Sequence, residues 1–217
     1  MMSFFSGKQK IGILGGGQLG KMLLNTTTKW DIHTKVMDPS MEAPSRISCN
    51  EFVKGDLMDY QDVFKFGKSV DVLTIEIENV NTQALSDLEK EGIKVYPQPK
   101  IIKTIQNKCS QKKFYKKNKI PTAQFKLFDS KEKLKDEVAR GLVSFPFVWK
   151  SESMGYDGFG VKIVRSNQDL EEVNQGPCLA EELVNIDKEL GIIVCRSPLG
   201  ETKFYPCVEM EFHPQAN

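Results

Sequence analysis

Residues 10–23 read KIGILGGGQLGKML. Lys10–Gly15 is a short apolar run that ends in glycine, and a helical segment from Gln18 to about Lys29 follows it. Gly15, Gly17 and Gly20 therefore fall in a G-x-G-x-x-G spacing between a strand and a helix. Glycines allow the sharp turn, and the N–H groups at the start of the helix favour an anion there. Asp38 ends the next apolar segment, 18 residues beyond Gly20, near the position of a ribose-binding carboxylate in a dinucleotide fold. Two readings stand on this turn alone. One is an NAD-dependent oxidoreductase; the other is a tight strand-to-helix turn that selects glycine for geometry and binds nothing.

Outward from the turn, strand and helix patterns alternate. His33–Asp38, Glu51–Gly55, Asp71–Ile77 and Lys94–Tyr96 read as strands. Asp59–Lys68 is amphipathic, and Thr82–Glu91 reads as a helix with Asn81 as its N-cap and Gly92 after its end. Five such repeats predict a parallel, doubly wound sheet. Pro97 and Pro99 mark a boundary, so one domain is expected over 1–98 and a second over 99–217.

The second half differs. Lys100–Gln106 and Lys108–Lys119 read as helices, the latter capped by Asn107. Beyond them Phe125–Phe128, Pro146–Lys150, Gly160–Arg165, Pro177–Leu183, Leu190–Arg196 and Lys203–Val208 are strand-like, with helices at about Lys131–Arg140 and Asn167–Asn174. Many strands with few helices predict an α+β or antiparallel domain.

Composition narrows the classes. The chain has 217 residues, 40% hydrophobic and 27% charged, which is ordinary for a globular protein of one or two domains. Thirty basic and 29 acidic residues leave a net charge of +1, so no global field points to nucleic acid or an anionic membrane. Mean hydropathy is −0.36 and no apolar run approaches a bilayer span. The N-terminus lacks the apolar core of a secretory signal. Five cysteines without a CxxC pair suggest reduced thiols in a cytoplasm. Two histidines, His33 and His213, leave little for a histidine metal site or a Ser-His-Asp triad.

The segment FPFVWKSESMGYDGFG at Phe145–Gly160 is the richest in chemistry. A strand delivers Lys150 beside a loop that carries Gly155, Gly158 and Gly160. An ammonium facing glycine-loop N–H donors suits a triphosphate, although GxxxxGK[ST] is absent; the bland alternative is a glycine-tipped hairpin. Glu181 and Glu182 end a later strand and Glu189 follows, as an adenine edge and a ribose carboxylate would, or as a solvated acidic turn. The lysines from Lys100 to Lys119 read as a solvated helix surface, with Ile101, Ile102 and Ile105 on a buried face and Lys108 set apart.

Taken together, IGILGGGQLGKML, DVLTIEIENVN at Asp71–Asn81, VYPQPKIIKTIQNKCSQKKFYKKNKIPTA at Val95–Ala123, the Phe145–Val164 segment, EELV…E at Glu181–Glu189 and YPCVEMEFH at Tyr205–His213 resemble 5-(carboxyamino)imidazole ribonucleotide synthase. This is an ATP-grasp ligase of purine synthesis, and the resemblance runs in order through nearly the whole chain. It implies a Rossmann-like domain followed by ATP-grasp subdomains. It also implies ATP-dependent carboxylation of 5-aminoimidazole ribonucleotide by bicarbonate through carboxyphosphate. Residue by residue, Lys108 and Lys150 would hold ATP phosphates. The stretch Gly155, Tyr156, Asp157, Gly158, Phe159, Gly160 and Val161 would cover them. Glu181, Glu182, Leu183 and Val184 would meet adenine, Glu189 the ribose, and His213 would complete the ATP site. Gln18, Leu19 and Glu76 would bind the ribonucleotide, and Asp157, with Lys150, would serve the chemistry beside bicarbonate.

Departures from the family pattern are Phe159, where many members carry Arg or Lys, and Lys108, where some carry Arg. The family continues past His213, and its magnesium-binding carboxylates lie in that continuation, so no metal ligand is expected within this chain. The chain alone is expected to fold in part without turning over. The resemblance implies a cytoplasmic homodimer acting on small molecules, with no nucleic-acid or membrane partner. Other expectations kept open are a different ATP-grasp carboxylase or formyl-transferring ligase, an oxidoreductase, and a non-catalytic binding fragment.

Overall fold

The computed structural model describes residues 9–153 and 160–211. The opening stretch forms β1 (Lys10–Leu14) and α1 (Gln18–Lys29), followed by β2 (His33–Asp38), β3 (Glu51–Lys54), α2 (Tyr60–Gly67), β4 (Val72–Ile75), α3 (Thr82–Lys90) and β5 (Lys94–Tyr96). The five strands pair in parallel in the order β3-β2-β1-β4-β5. Helices start where the side chains predict. Asp59 Oδ1 accepts the Asp62 N–H, and Asn81 Oδ1 accepts the Ala84 N–H, each at 2.9 Å. Leu14, Leu73, Val63, Leu85 and Leu88 are fully buried in the core between the sheet and α2–α3, and Ile13, Leu24 and Val36 fill the opposite face with α1.

This order places a topological switch between β1 and β4. The chain leaves β1 toward β2 on one side, and returns by way of β3 and α2 to β4 on the other. The loops after β1 and β4 therefore part and leave a crevice at the carboxyl edge, the usual place for a ligand in an open α/β sheet.

Helix α4 (Pro99–Gln106) adds Ile102 to the first core, whereas Ile101 and Ile105 are about 40% exposed. The buried face expected from three isoleucines thus comes down to one, because a helix this short meets α3 along a single line. Helix α5 (Lys108–Lys117) packs on a second sheet. That sheet comprises β6 (Phe125–Phe128), β7 (Phe147–Ser151), β8 (Val161–Val164) and β9 (Cys178–Glu182), antiparallel in the order β6-β9-β7-β8. With α6 (Lys131–Ala139) and α7 (Asn167–Glu172), one face of it buries Phe128, Leu134, Phe147, Trp149, Val164, Leu170, Cys178 and Ala180.

The two strands expected at 190–196 and 203–208 are each divided. The structure has β10 (Glu189–Gly191), β11 (Val194–Arg196), β12 (Thr202–Phe204) and β13 (Val208–Met210). β10 pairs with β13 and β11 with β12, so each stretch changes partner midway. Pro206, which has no N–H to give a ladder, sits at one of these breaks. Nearly every residue of the four strands is exposed. Among the described residues no helix is long and apolar enough to cross a membrane.

Candidate functional site

Two sites emerge, one on each sheet. In the first, the turn after β1 takes Gly15 into the left-handed region at φ 99°, where a side chain would be strained. A Cβ on Gly15 or Gly17 would lie 2.7 or 2.6 Å from the carboxylate oxygens of Glu76, which stands just past the end of β4. The Glu76 carboxylate accepts the Gly20 N–H at 3.3 Å, and its own N–H donates to the Leu14 carbonyl at 2.7 Å. Asp38 Oδ2 accepts the Gly16 N–H and Oδ1 the Ser40 N–H, both at 2.8 Å. Buried Ser45 ties the turn from beneath, its N–H donating to the Gly16 carbonyl at 2.9 Å. Gln18 and Leu19 are exposed on the first turn of α1 beside Glu76.

The geometry disfavours a dinucleotide. Two carboxylates already accept N–H groups of the turn, and Asp38 uses both oxygens on local backbone. A pyrophosphate brought to this turn would meet two negative charges instead of open donors. The expected trio of Gln18, Leu19 and Glu76 is nevertheless brought together at the switch point.

The second site lies on the sheet face opposite α6 and α7. Side chains alternate across a strand, and the register sets Lys150 opposite Val161 on β8 and Leu179 on β9, with Val148 opposite Ile163 and Glu181. Val161 and Ile163 are each close to 40% exposed, which leaves an apolar floor next to Lys150. Ser151 donates its N–H to the Gly160 carbonyl at 2.8 Å and closes the base of the glycine loop, and Gly160 has φ 73°. Residues Gly155, Tyr156, Asp157, Gly158 and Phe159, and also His213, lie outside the described residues.

Helix α5 brings its own charges to this face. Asn107 accepts the Ser110 N–H at 2.7 Å as N-cap, and the Lys108 N–H donates to the Glu152 carbonyl at 2.8 Å, which ties the helix start to the end of β7. Burial lowers the Lys108 ammonium from its ordinary range and neighbouring Lys150 lowers it further, with Glu78 pulling the other way. Glu181 is 6% exposed and forms an ion pair with Lys150 at 2.5 Å. It also pairs with Lys112, a residue 7% exposed whose ammonium reaches the Thr122 hydroxyl and lies over the Phe125 ring. Burial alone would raise the Glu181 carboxyl, but Lys112 and Lys150 outweigh it and hold it below the usual range.

Lys108, Lys150 and Glu181 are thus gathered as expected. Glu182, Leu183 and Val184 continue from the same strand and are exposed. A cavity of 330 Å³ opens at Glu181 and Glu182, lined also by Phe125, Phe147 and Ala180, but neither Lys108 nor Lys150 lines it. Glu189 opens β10 and is exposed; among the described residues no hydrogen bond or ion pair joins it to that cluster. A wider cleft of 670 Å³ along β6 contains none of Lys108, Lys150 or Glu181. Sequence reasoning missed Lys112, whose local signal is that of one lysine among many. Among the described residues no group of three or more His, Cys, Asp or Glu is placed to hold a metal.

Comparison with known proteins agrees with both halves. Residues 8–106 match the ribonucleotide synthetase pre-ATP-grasp domain and residues 113–215 the ATP-grasp domain. The chain is 35% identical over 208 residues to a phosphoribosylaminoimidazole carboxylase of Candida glabrata, spanning 92% of this chain and 36% of that protein. The crystal structure of N5-carboxyaminoimidazole ribonucleotide synthetase from Thermotoga maritima superposes with a TM-score of 0.81 at 37% identity, over 93% of this chain and 53% of that one. An Aspergillus clavatus N5-carboxyaminoimidazole synthase, solved with ADP and 5-aminoimidazole ribonucleotide, gives 0.83 at 30% identity, over 98% and 56%. The chain spans from about a third to just over half the length of these relatives. The chain thus joins a pre-ATP-grasp domain to an ATP-grasp domain and is similar, over nearly all of its own length, to a portion of the N5-carboxyaminoimidazole ribonucleotide synthases.

Proposed function

We propose that this chain carries the nucleotide- and ribonucleotide-binding parts of an ATP-dependent ligase. The reaction joins bicarbonate to the amino group of 5-aminoimidazole ribonucleotide and releases ADP and phosphate. The observation that carries this is the pairing of Lys108 with Lys150 on the open face of the antiparallel sheet, with Glu181 beside them. Each ammonium feels the other's charge, with Glu78 acting against it on Lys108, and a polyphosphate would draw on both cations. The apolar floor of Val148, Val161 and Ile163 suits a purine ring, and the exposed residues Leu183 and Val184, past the Glu182 N–H that is bonded to Gln124, can read its edge.

In this scheme residues 1–98 hold the ribonucleotide through Gln18, Leu19 and Glu76, and residues 99–217 hold ATP. Gly155–Val161 close over the phosphates, Glu189 and His213 complete the nucleotide site, and Asp157 orients bicarbonate and the amine. Transfer of the terminal phosphoryl group to bicarbonate gives carboxyphosphate; its breakdown to phosphate and carbon dioxide supplies the carbon that the amine attacks. Such chemistry needs positioning and charge neutralisation, and no protein nucleophile. The Aspergillus relative, solved with ADP and 5-aminoimidazole ribonucleotide, supports the same pair of ligands here. The family resemblance supports a cytoplasmic homodimer.

The test is phosphate release from MgATP and bicarbonate by the product of the uninterrupted reading frame, with and without 5-aminoimidazole ribonucleotide, beside a titration of this chain with ADP. Release that requires the ribonucleotide, with ADP binding lost in Lys150→Ala, is the expected result. Release indifferent to the ribonucleotide would keep the ATP site and reject the substrate. Tight NADH binding that survives Lys150→Ala would reject both.

A further inference from the structure

We infer that Lys112 is a positioning residue for the phosphate-facing lysines: it holds the Glu181 carboxylate and so keeps Lys150 directed at its ligand. The inference deepens the proposed ATP site, and it rests on that site only for its consequence, not for its geometry.

Lys112 lies one turn beyond Lys108 on α5, so the two share a helix face. Lys108 stays near the open sheet face, while Lys112 is 7% exposed and out of a ligand's reach. Its ammonium is nonetheless fully engaged, by the Glu181 carboxylate, by the Thr122 hydroxyl and by the faces of Phe125 and Tyr115 at 5.5 and 6.0 Å. Glu181 uses one oxygen on Lys112 and turns the other to Lys150 at 2.5 Å. The three lysines and Glu181 by themselves sum to two positive charges, with Glu78 also acting on Lys108.

Without Lys112, Glu181 would be a buried carboxylate with a single cation within reach. A buried charge left short of partners is costly, so it would take Lys150 fully. Lys150 would then be withdrawn from the open face, and the cluster would keep one net positive charge in place of two. A lysine buried among aromatic rings and one hydroxyl is explained by this division of labour. A residue needed only for packing would be served as well by Met or Leu.

The direct measurement is the titration of the Lys150 side chain, followed by NMR on the unliganded chain. Among the described residues the charged groups near it are Lys108 on α5 and Glu181 on β9, with Lys112 on the other oxygen of Glu181. In Lys112→Met the Lys150 midpoint should move upward, as the Glu181 charge transfers to it. In the Glu181→Gln background the same substitution should leave the midpoint nearly unmoved. Lys112→Arg should behave as the native chain does. Because Lys112→Met risks misfolding, Thr122→Val serves as a milder second variant and should shift the midpoint in the same direction by less.

An unmoved midpoint in both Lys112→Met and Thr122→Val would overturn the inference. An equal rise with and without Glu181 would do so too, since it would mean direct repulsion between ammoniums. The nucleotide arm reads the consequence. The ratio of AMP to ATP dissociation constants should fall about tenfold in Lys112→Met, whereas a packing role would weaken both ligands alike and overturn the assignment. If the native chain binds neither nucleotide, the proposed function fails, and the Lys150 titration still decides the role of Lys112.

Discussion

The carboxylate of Glu76 lies so close to the backbone of Gly17 that a methyl group there would meet Oε1 at 2.6 Å. At Gly15 the corresponding approach is 2.7 Å to Oε2, but the backbone there is also left-handed, at φ 99°. Gly17, at φ −71°, has no such strain. Gly15→Ala should therefore destabilise more, by about 1–3 kcal/mol. Gly17→Ala can be relieved by a rotation of Glu76 and should cost about 1 kcal/mol or less. Equal losses in urea unfolding would show that contact with Glu76, and not backbone strain, governs both positions.

Glu76 also serves as the acceptor at the start of α1, whose N-cap Gly17 has no side chain to offer. Glu76→Ala removes that acceptor and should cost about 1 kcal/mol, or roughly 2–4 °C in Tm. Glu76→Gln keeps an acceptor oxygen and should lose less than half as much. If the two variants melt together, the carboxylate contributes through its charge and not through the Gly20 hydrogen bond.

Much of this architecture could be read from local sequence, because local physics sets it. Asn81 and Asn107 stand where an N-cap must stand, and both accept the N–H three residues on. The Ile11–Leu14 run and the glycines after it leave few alternatives to a strand and a turn. Lys112 shows the opposite case. By composition it belongs to a solvated stretch of lysines, and only a partner 69 residues away on β9 gives it a place inside. Asp38 was legible as a carboxylate at a strand end, but not as one spent on the Gly16 and Ser40 N–H groups. The divided strands after residue 188 escaped for a similar reason, since each half is defined by a distant partner.

Asn107 fixes the start of α5 and with it the placing of Lys108 and Lys112. Its side chain accepts the Ser110 N–H at 2.7 Å while the next residue's N–H is held by Glu152. Asn107→Ala should destabilise by about 1 kcal/mol, and Asn107→Asp, which keeps the acceptor, should restore most of it. The titration of Lys150 offers a second readout, since a frayed α5 loosens Lys112. A destabilised Asn107→Ala with an unchanged Lys150 would show that α5 is held by Glu152 and the sheet without its cap.

Acid should weaken the first sheet through Glu51. This carboxylate on β3 accepts from His33 at 2.9 Å and stands 3.3 and 3.4 Å from the ammoniums of Lys35 and Lys10. The hydrogen bond to His33, then that to Lys35, lowers its pKa from 4.5 to about 2. A carboxyl depressed by folding stabilises the native state above its unfolded pKa and loses that contribution as pH falls through the folded one. The native chain should therefore exceed Glu51→Gln in stability at neutral pH, and the gap should close between pH 4.5 and about 2. Glu181 titrates with the same sign, so the difference between the two chains, and not the native curve alone, isolates Glu51. The Glu51 side chain is 39% exposed, so the gap should also narrow in high salt. Urea-unfolding curves at a series of pH values measure it, and a gap that persists unchanged at pH 2 would mean that Glu51 acts by packing instead of charge.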